Sequence, residues 1–277
     1  MTRSIPPTDE IAFSFVVCIS NGTVLKRNLL ASPCLGPSSR HEVILVKNCP
    51  NAAAGLNFGI EKAESEWVVC VHQDVYLPKG WDRCLARQLR EAERQFGQVG
   101  IAGVYGVGDV ESPRSPRLPL AAARAGWVVD RKRVLRDGLD LPARVATLDE
   151  LLLVVRRDTT MRFDPDLGFH LYGADICMQA SERGLAVVAL EALCHHNSAS
   201  VGLPDAFFAS AEVFASKWRR RLPVATPCVI IDRQGRVQLL GNAAEGTEAI
   251  AYAIPQHEAG HHAFFNHESY ELHENAP

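Results

Sequence analysis

With 277 residues, 47% of them apolar and 22% charged, the chain can bury a large core, as one domain or as one domain with an appendage. Its formal net charge of −3 gives no overall field that would attract nucleic acid or an anionic membrane, and we expect no nucleic-acid partner. None of the eight cysteines forms a Cys-x-x-Cys pair, so we expect free thiols in a reducing compartment and not a disulfide scaffold.

Neither a signal peptide nor a membrane span is evident in the sequence. Residues 1–10 contain two prolines and two acidic residues but no apolar core, and we expect them to form a flexible lead-in. No apolar run approaches the ~20 residues that a helix needs to cross a bilayer. These features predict a cytoplasmic protein without a transmembrane segment, and they leave peripheral contact with a membrane open.

Predicted strands and helices alternate over the first ~110 residues. The strands are expected at residues 11–20, 41–46, 67–71 and 99–107, and the helices at residues 24–30, 51–63 and 82–96. This alternation is typical of an α/β doubly wound, mostly parallel sheet with helices on both faces.

The helix predicted at residues 51–63 has two features of interest. Asn51 is a candidate N-cap residue, because its side chain can accept a hydrogen bond from the first turn. Gly55 and Gly59 either permit close contact with the sheet or a ligand, or simply weaken the helix.

The remainder of the chain is less regular. Residues 108–119 and 137–146 are predicted as loops, 126–130 as an edge strand, 151–156 and 185–190 as buried strands, and 172–183 and 204–221 as helices. After residue 223 a hairpin is predicted at residues 229–240, followed by a tail rich in His and Glu. We therefore expect a main domain at residues 11–222 and a small C-terminal extension at residues 223–277.

The apolar run at residues 67–71 leads directly into His72-Gln73-Asp74, and Pro78 prevents its continuation. Open α/β sheets bind ligands beyond the carboxyl ends of their strands. At such an end, Asp74 is a suitable oxygen ligand for Mg²⁺ or Mn²⁺, and the ion could in turn hold a diphosphate. The alternative is that Asp74 caps a helix that starts near Lys79 or Gly80.

Other polar residues stand out beside apolar segments. Asp175 lies within the apolar face of a predicted helix, where a buried carboxylate needs a partner. His195-His196 follow an apolar run at a predicted strand end, as a functional pair or as a hydrogen-bonded structural pair. The remaining candidates, each with a structural alternative as a cap or a packed core residue, are Asp149, Glu150 and His170.

The tail contains a rival motif. Residues 257–261 spell His-Glu-x-x-His, the signature of zinc peptidases, in which the two histidines bind zinc and Glu258 activates water. Pro255 and Gly260 weaken the helix that this arrangement needs. We therefore treat the peptidase as a secondary hypothesis.

Taken together, several segments resemble the GT-A fold of family-2-like glycosyltransferases, in the branch that has His-Gln-Asp in place of Asp-x-Asp. The resemblance covers roughly residues 11–221. The matching segments are residues 15–21 (FVVCISN), 57–60 (NFGI) with Ala63, 72–78 (HQDVYLP), 147–150 (TLDE), 169–175 (FHLYGAD) and 194–198 (CHHNS).

This resemblance implies a metal-dependent, inverting transfer of a sugar from a nucleotide diphosphate sugar. It places Asp74 as the metal-binding carboxylate, with Mn²⁺ or Mg²⁺ as the ion, and His72 at the first acidic position, facing the ribose or the metal. His195 corresponds to a histidine that completes the metal site, and His196 is the alternative by one residue of register. The donor nucleotide would be bound by Ser20, Asn21, Asn48, Asn57, His72 and Gln73.

The resemblance also implies a general base that takes the proton of the acceptor hydroxyl. The usual base position falls on Gly173, while Asp175 matches the last Asp of the family's Glu-Asp-x-Asp pattern. The role therefore passes to Asp175, to Asp149 with Glu150 close by, or to His170, or the chain is an inactive GT-A module that serves as a binding domain.

Two further departures concern the donor nucleotide. Lys47-Asn48 replace the Asp that usually holds the base, and Leu56 replaces the usual Arg. The nucleotide is therefore left open, as are the oligomeric state and the acceptor, which could be a glycan, a lipid-linked sugar or a small molecule.

Overall fold

A computed structural model of the chain describes residues 11–111, 120–131, 133–138, 140–198 and 202–240, and the backbone of residues 271–273. Strands and helices alternate over the first hundred residues, and a mostly parallel sheet is covered by helices on both faces. The predicted α/β class is confirmed. The lead-in at residues 1–10 and the His-Glu-x-x-His motif at residues 257–261 lie outside the described residues.

Helices and strands have the following bounds in the described residues. The helices are α1 (Gly22–Arg27), α2 (Ala52–Lys62), α3 (Trp81–Phe96), α4 (Tyr172–Glu182) and α5 (Asp205–Lys217). The strands are β1 (Phe13–Ile19), β2 (Glu42–Lys47), β3 (Trp67–Val71), β4 (Val75–Tyr76), β5 (Val99–Gly103), β6 (Tyr105–Val107), β7 (Arg124–Asp130), β8 (Arg133–Asp137), β9 (Ala143–Arg144), β10 (Thr147–Leu148), β11 (Leu152–Arg156), β12 (Ala186–Ala189), β13 (Cys194–His196), β14 (Val224–Ala225), β15 (Val229–Ile231), β16 (Val237–Leu239) and β17 (Glu271–His273).

The central sheet has the strand order β17-β2-β1-β3-β11-β5-β12-β9. Strands β2, β1 and β3 are parallel, and so are β5 and β12. Strand β11 is inserted antiparallel between β3 and β5, β9 is antiparallel at one edge, and β17 is parallel to β2 at the other. The carboxyl ends of most strands therefore lie along the same border of the sheet, beyond which ligands of such sheets bind.

Each face of this sheet is covered by an apolar layer. Along β1, Phe15 and Val17 face the layer that contains α3, while Val16 faces the layer that contains α2, α4 and α5. Because both faces are buried, β1 is apolar almost throughout and does not alternate with polar residues. Each fully buried large side chain contributes roughly 1.5–3 kcal/mol by leaving water.

Helix α2 packs unusually closely on the sheet. Asn51 caps it, because its side chain accepts a hydrogen bond from the N–H of Ala54 at 2.8 Å. A Cβ atom on Gly59 would collide with the methyl groups of Val16, and one on Gly55 would collide with the Cys18 and Cys49 thiols. The two glycines therefore permit close helix–sheet contact, which is the first of the two interpretations given for them from the sequence.

Two strand predictions were wrong. Residues 99–107 form two strands, since the chain leaves the central sheet after β5 and enters a second sheet at β6. Residues 126–130 were expected to form an edge strand, but β7 lies inside this second sheet, whose order is β10-β6-β7-β13-β4 with β8 beside β7. Gly126, at φ +136°, allows β7 to approach the Val104 carbonyl more closely than a side chain would permit.

The predicted hairpin near the C-terminus is confirmed. Strands β15 and β16 pair antiparallel, and Gly235 at φ +79° forms the turn. Strand β14 adds a third strand, which is fixed to the second sheet where the Thr147 hydroxyl donates to the carbonyl of Ala225 at 2.6 Å. Across the described ranges, no helix combines the length and apolarity needed to cross a membrane.

Gly59→Ala is expected to lower the free energy of unfolding by about 1–3 kcal/mol, because the added methyl group overpacks the contact with Val16. Gly22→Ala is the matched control, since it also adds a methyl group to a helix but meets nothing within 4 Å. Urea unfolding measures the difference between the variants. Equal stabilities would contradict the close helix–sheet contact.

Candidate functional site

The candidate site lies where β3 leaves the central sheet and the chain joins the second sheet. The turn between β3 and β4 carries His72 and Asp74, and the N–H of Val75 closes it by donating to the carbonyl of His72 at 3.2 Å. Strand β13 lies between β4 and β7, so that His196 pairs with Val75 on one side and with Asp130 on the other. Strand pairing therefore brings residues that are distant in sequence to one place.

His72, Asp74 and His196 form a group that could hold a metal ion, since one ligand atom from each lies within 4.8 Å of the others. Nε2 of His196 is 3.5 Å from Oδ1 of Asp74. This Oδ1 atom is buried and accepts no hydrogen bond from the described residues. A buried carboxylate oxygen needs a partner, and two imidazoles with one carboxylate are a donor set that suits a divalent cation.

The alternative role predicted for Asp74, capping the next helix, is wrong. Helix α3 begins after Gly80, and no side chain in the described structure caps it. Asp74 is held by its backbone, because its carbonyl accepts a hydrogen bond from the N–H of Asn197 at 2.9 Å. Its carboxylate is therefore left facing the two histidines.

The pKa values of the two histidines of the group are shifted in opposite directions. The pKa of His72 is lowered to about 4, mainly by burial. The nearby His196 also lowers it, and this effect is larger than the opposite effect of Asp74. The His72 ring is therefore neutral at pH 7, as a metal ligand must be, and its Nε2 lies 3.1 Å from the hydroxyl of Tyr172. In His196, burial lowers the pKa, but the hydrogen bond with Asp130 and the charge of Asp74 outweigh it and raise the pKa overall.

Of the two adjacent histidines, His196 and not His195 faces Asp74. Neighbouring residues of a strand point to opposite faces, so only one of the pair can reach the carboxylate. The His195 ring packs 5.9 Å from the ring of Tyr76, and its Nδ1 has no hydrogen-bond partner in the described structure. The histidine near Asp74 is therefore His196, which the resemblance gave as the alternative to His195.

Three residues expected to bind the donor form one hydrogen-bonded unit. The side-chain Oε1 of Gln73 accepts from the backbone N–H groups of Ser20 and Asn21 at 3.1 and 2.9 Å, and its Nε2 donates to the Ser20 hydroxyl at 2.7 Å. The Asn21 side chain caps α1. Gln73 therefore fixes the end of β1 beside the group that could hold a metal.

The other two expected donor residues are placed differently. Asn57 accepts from the N–H of Phe163 and donates to its carbonyl, at 2.9 and 2.8 Å, so its amide is engaged within the protein. Asn48 follows β2 in the left-handed region at φ 55°, at the same edge of the sheet as Ser20.

Asp149 and Glu150 directly precede Leu151, whose carbonyl accepts a hydrogen bond from the N–H of His72 at 3.0 Å. Burial raises the pKa of Asp149, whose charge in turn acts on His196. Burial also raises the pKa of Glu150, to about 8, although backbone N–H groups at the start of α4 oppose this; its Oε1 accepts from the N–H of Gly173 at 2.9 Å. A Cβ atom on Gly173 would lie only 2.7 Å from Cγ of Glu150, so the glycine leaves the space that Glu150 fills.

Asp175 and His170 are not brought to the group that could hold a metal. The Asp175 carboxylate is fully buried, where Oδ1 accepts from Trp218 at 2.8 Å and pairs with Lys217 at 2.7 Å. Its Oδ2 accepts from Gln179 within α4 at 2.7 Å, so both oxygens are engaged, and Oδ1 joins α4 to α5. The half-buried His170 ring packs 5.6 Å from the ring of Phe207.

Sequence reasoning missed two residues of the site, Asp130 and Tyr172. Oδ1 of Asp130 lies 3.0 Å from Nδ1 of His196. Its position at the end of a predicted strand was a signal, because polar residues at strand ends are candidates for ligand sites. Tyr172 lay within a segment that carried the resemblance, but nothing in the sequence shows that its hydroxyl reaches His72.

Comparisons with known proteins give one family and several distant similarities. The model of a family described as "Glycosyltransferase like family" matches residues 14–217. The curated protein "ATP synthase subunits region ORF 6" of Fuscovulum blasticum is 35% identical over 85 residues, which are 30% of this chain and 34% of that protein.

The solved structures to which the chain is similar include the following two. S. aureus TarS 1–349 is 15% identical with a TM-score of 0.47, covering 75% of this chain and 65% of that one. The mannosyltransferase PcManGT from Pyrobaculum calidifontis, in complex with GDP-Man and Mn²⁺, is 13% identical with a TM-score of 0.48, covering 77% and 64%. The chain spans less than two thirds of the length of each of these relatives.

Asp175→Asn is expected to lower the free energy of unfolding by about 2–3 kcal/mol, since it removes the buried charge that holds Lys217 and Trp218. Asp158→Asn is the matched control, because Asp158 is 66% exposed in its ion pair with Arg156. Urea unfolding compares the two variants. An unchanged stability of Asp175→Asn would contradict this joining role.

Glu150→Gln is expected to flatten the dependence of stability on pH. The folded protein keeps a proton on Glu150 between the ordinary pKa of 4.5 and the raised pKa of about 8, so its stability falls as pH rises through this window. At its steepest the contribution is on the order of 1 kcal/mol per pH unit, and the variant removes it. Urea unfolding between about pH 5 and pH 8 measures the slope, and an unchanged slope would refute the raised pKa.

Proposed function

The chain belongs to the glycosyltransferase-like family, and from this premise we propose that it transfers a sugar from a nucleotide diphosphate sugar to an acceptor hydroxyl with the help of a divalent cation. The observation that carries the proposal is the group of His72, Asp74 and His196 at the end of β3, with its buried carboxylate oxygen that accepts no hydrogen bond from the described residues. A cation at this position would offset the negative charge of the leaving diphosphate.

The donor set fits such an ion. Asp74 would supply the oxygen ligand, and His196 and the neutral His72 would supply nitrogen ligands. Carboxylates suit Mg²⁺ and Mn²⁺, whereas imidazoles suit softer ions, so the mixed set favours Mn²⁺ over Mg²⁺. Gln73 would hold Ser20 and Asn21 at the end of β1, where with Asn48 they would face the donor nucleotide.

Glu150 is the general base that we infer for an inverting transfer. The acceptor hydroxyl would attack the anomeric carbon and give its proton to Glu150 as the bond between the sugar and the diphosphate breaks. Two observations support this choice: its raised pKa makes the ionised carboxylate a stronger base than an ordinary glutamate, and its side chain occupies the space that Gly173 leaves at the usual base position. Asp149 is the adjacent alternative, whereas Asp175 is engaged between α4 and α5.

The acceptor and the nucleotide stay open in this proposal. Lys47 and Leu56 replace the residues that the resemblance led us to expect around the nucleotide, so a binding test must include several bases. Acceptors of three kinds fit the proposal: a glycan, a lipid-linked sugar or a small molecule. The His-Glu-x-x-His peptidase is not proposed, since its residues lie outside the described ones.

Asp74→Asn and His196→Gln are each expected to weaken Mn²⁺-dependent binding of a nucleoside diphosphate by about 10-fold or more, because each removes a metal ligand. Thermal shift with UDP, GDP, ADP and CDP, with and without Mn²⁺, identifies the nucleotide, and calorimetry then gives its dissociation constant. Asp158→Asn makes the same chemical change as Asp74→Asn at an exposed ion pair and serves as the control.

The possible outcomes separate the hypotheses. Binding that needs Mn²⁺ and is lost in both variants supports the proposed metal centre. Binding that is unchanged in Asp74→Asn refutes it. Binding without turnover of any nucleotide sugar would favour an inactive module over a transferase.

A further inference from the structure

We propose that Asp130 is a positioning residue, which holds the His196 ring so that Nε2 presents its lone pair toward Asp74 and a bound cation. The inference rests on the proposed function, because it concerns the metal centre of that function. Asp130 itself does not belong to the group of His72, Asp74 and His196 that could hold the ion. Its effect would act through His196 alone.

Strand register places Asp130 beside His196. Strands β7 and β13 are parallel and pair Asp130 directly with His196, and the N–H of Arg131 donates to the His196 carbonyl at 2.7 Å. On its other side β13 pairs with β4, which follows Asp74. The imidazole therefore lies between two carboxylates, one at the end of β7 and one in the turn just before β4.

The two ring nitrogens of His196 face different partners at different distances. Nδ1 is 3.0 Å from Oδ1 of Asp130, which is a hydrogen-bond distance, whereas Nε2 is 3.5 Å from Oδ1 of Asp74, which is longer. A carboxylate can only accept, so in the neutral ring the proton lies on Nδ1 and faces Asp130. Nε2 then carries the lone pair, on the side where Asp74 lacks a hydrogen bond from the described residues.

This arrangement is the one that carboxylates give to metal-binding histidines. An acceptor behind the ring fixes its tautomer and orientation and increases the basicity of the ligand nitrogen. A purely structural ion pair would act differently. The Asp130 side chain is 33% exposed, and partly exposed pairs contribute little to stability, so a structural role predicts a small loss of stability and no selective loss of metal.

Metal affinity gives the first test. Asp130→Ala is expected to raise the dissociation constant for Mn²⁺ about 10- to 100-fold, measured by electron paramagnetic resonance of free Mn²⁺ on the full chain without nucleotide. Asp130→Asn keeps an acceptor oxygen without the charge and is expected to lie between the wild type and Asp130→Ala. Asp158→Asn, a change from the same residue at an exposed ion pair, is expected to bind Mn²⁺ as the wild type does.

The tautomer of His196 gives a second test that needs no metal. In protein labelled with ¹⁵N-histidine, the two ring nitrogens of a neutral imidazole have different chemical shifts, and His196→Gln assigns the signals of His196. At high pH we expect the Nδ1–H tautomer in the wild type and a loss of that preference in Asp130→Ala.

The outcomes distinguish this inference from the proposed function. Weaker Mn²⁺ binding in Asp130→Ala together with the Nδ1–H tautomer in the wild type supports the positioning role. Unchanged Mn²⁺ affinity in a folded Asp130→Ala, or an Nε2–H tautomer in the wild type, overturns it. A wild-type protein that binds no Mn²⁺ refutes the proposed metal centre, and the ¹⁵N spectrum then still decides whether Asp130 orients His196.

Discussion

The register of β13 between β4 and β7 is the constraint on which the candidate site depends. It sets His196 opposite Val75 on one side and Asp130 on the other, and it brings the histidine to the Asp74 carboxylate. A slip of one residue would turn His195 toward Asp74 and His196 away from it, because side chains alternate across a strand. Backbone pairing therefore selects which of two identical neighbours belongs to the site.

The two apolar layers keep this pairing in place. The central sheet is buried on both faces, so the end of β3 is held rigidly while polar residues collect just beyond it. The glycines of α2 allow the helix to lie directly on β1, and the buried Asp175 joins α4 to α5 on the same face of the sheet. Carboxylates thus have two roles in the described structure: Asp175 links two helices inside the protein, and Asp74 offers an oxygen without a hydrogen bond beyond the end of β3.

The local sequence pattern predicted those residues of the site that lie together in a single segment of the chain. The apolar run before His72 and Asp74 identified a strand end, and that identification needed no partner strand. The choice between His195 and His196 could not be made from the sequence, because it depends on register with β4 and β7. Asp130 was missed for the same reason, since β7 had been predicted as an edge strand and its neighbours are remote in sequence.

The contact between Glu150 and Gly173 has a consequence for how this chain can diverge. The two positions compete for one volume, since any side chain at 173 would lie on Cγ of Glu150. A carboxylate could move from one position to the other only if both residues changed, because the single exchange at 173 is crowded and the single loss at 150 leaves a void. Among descendants of a common ancestor, substitutions at 150 and 173 should therefore be inherited as a pair.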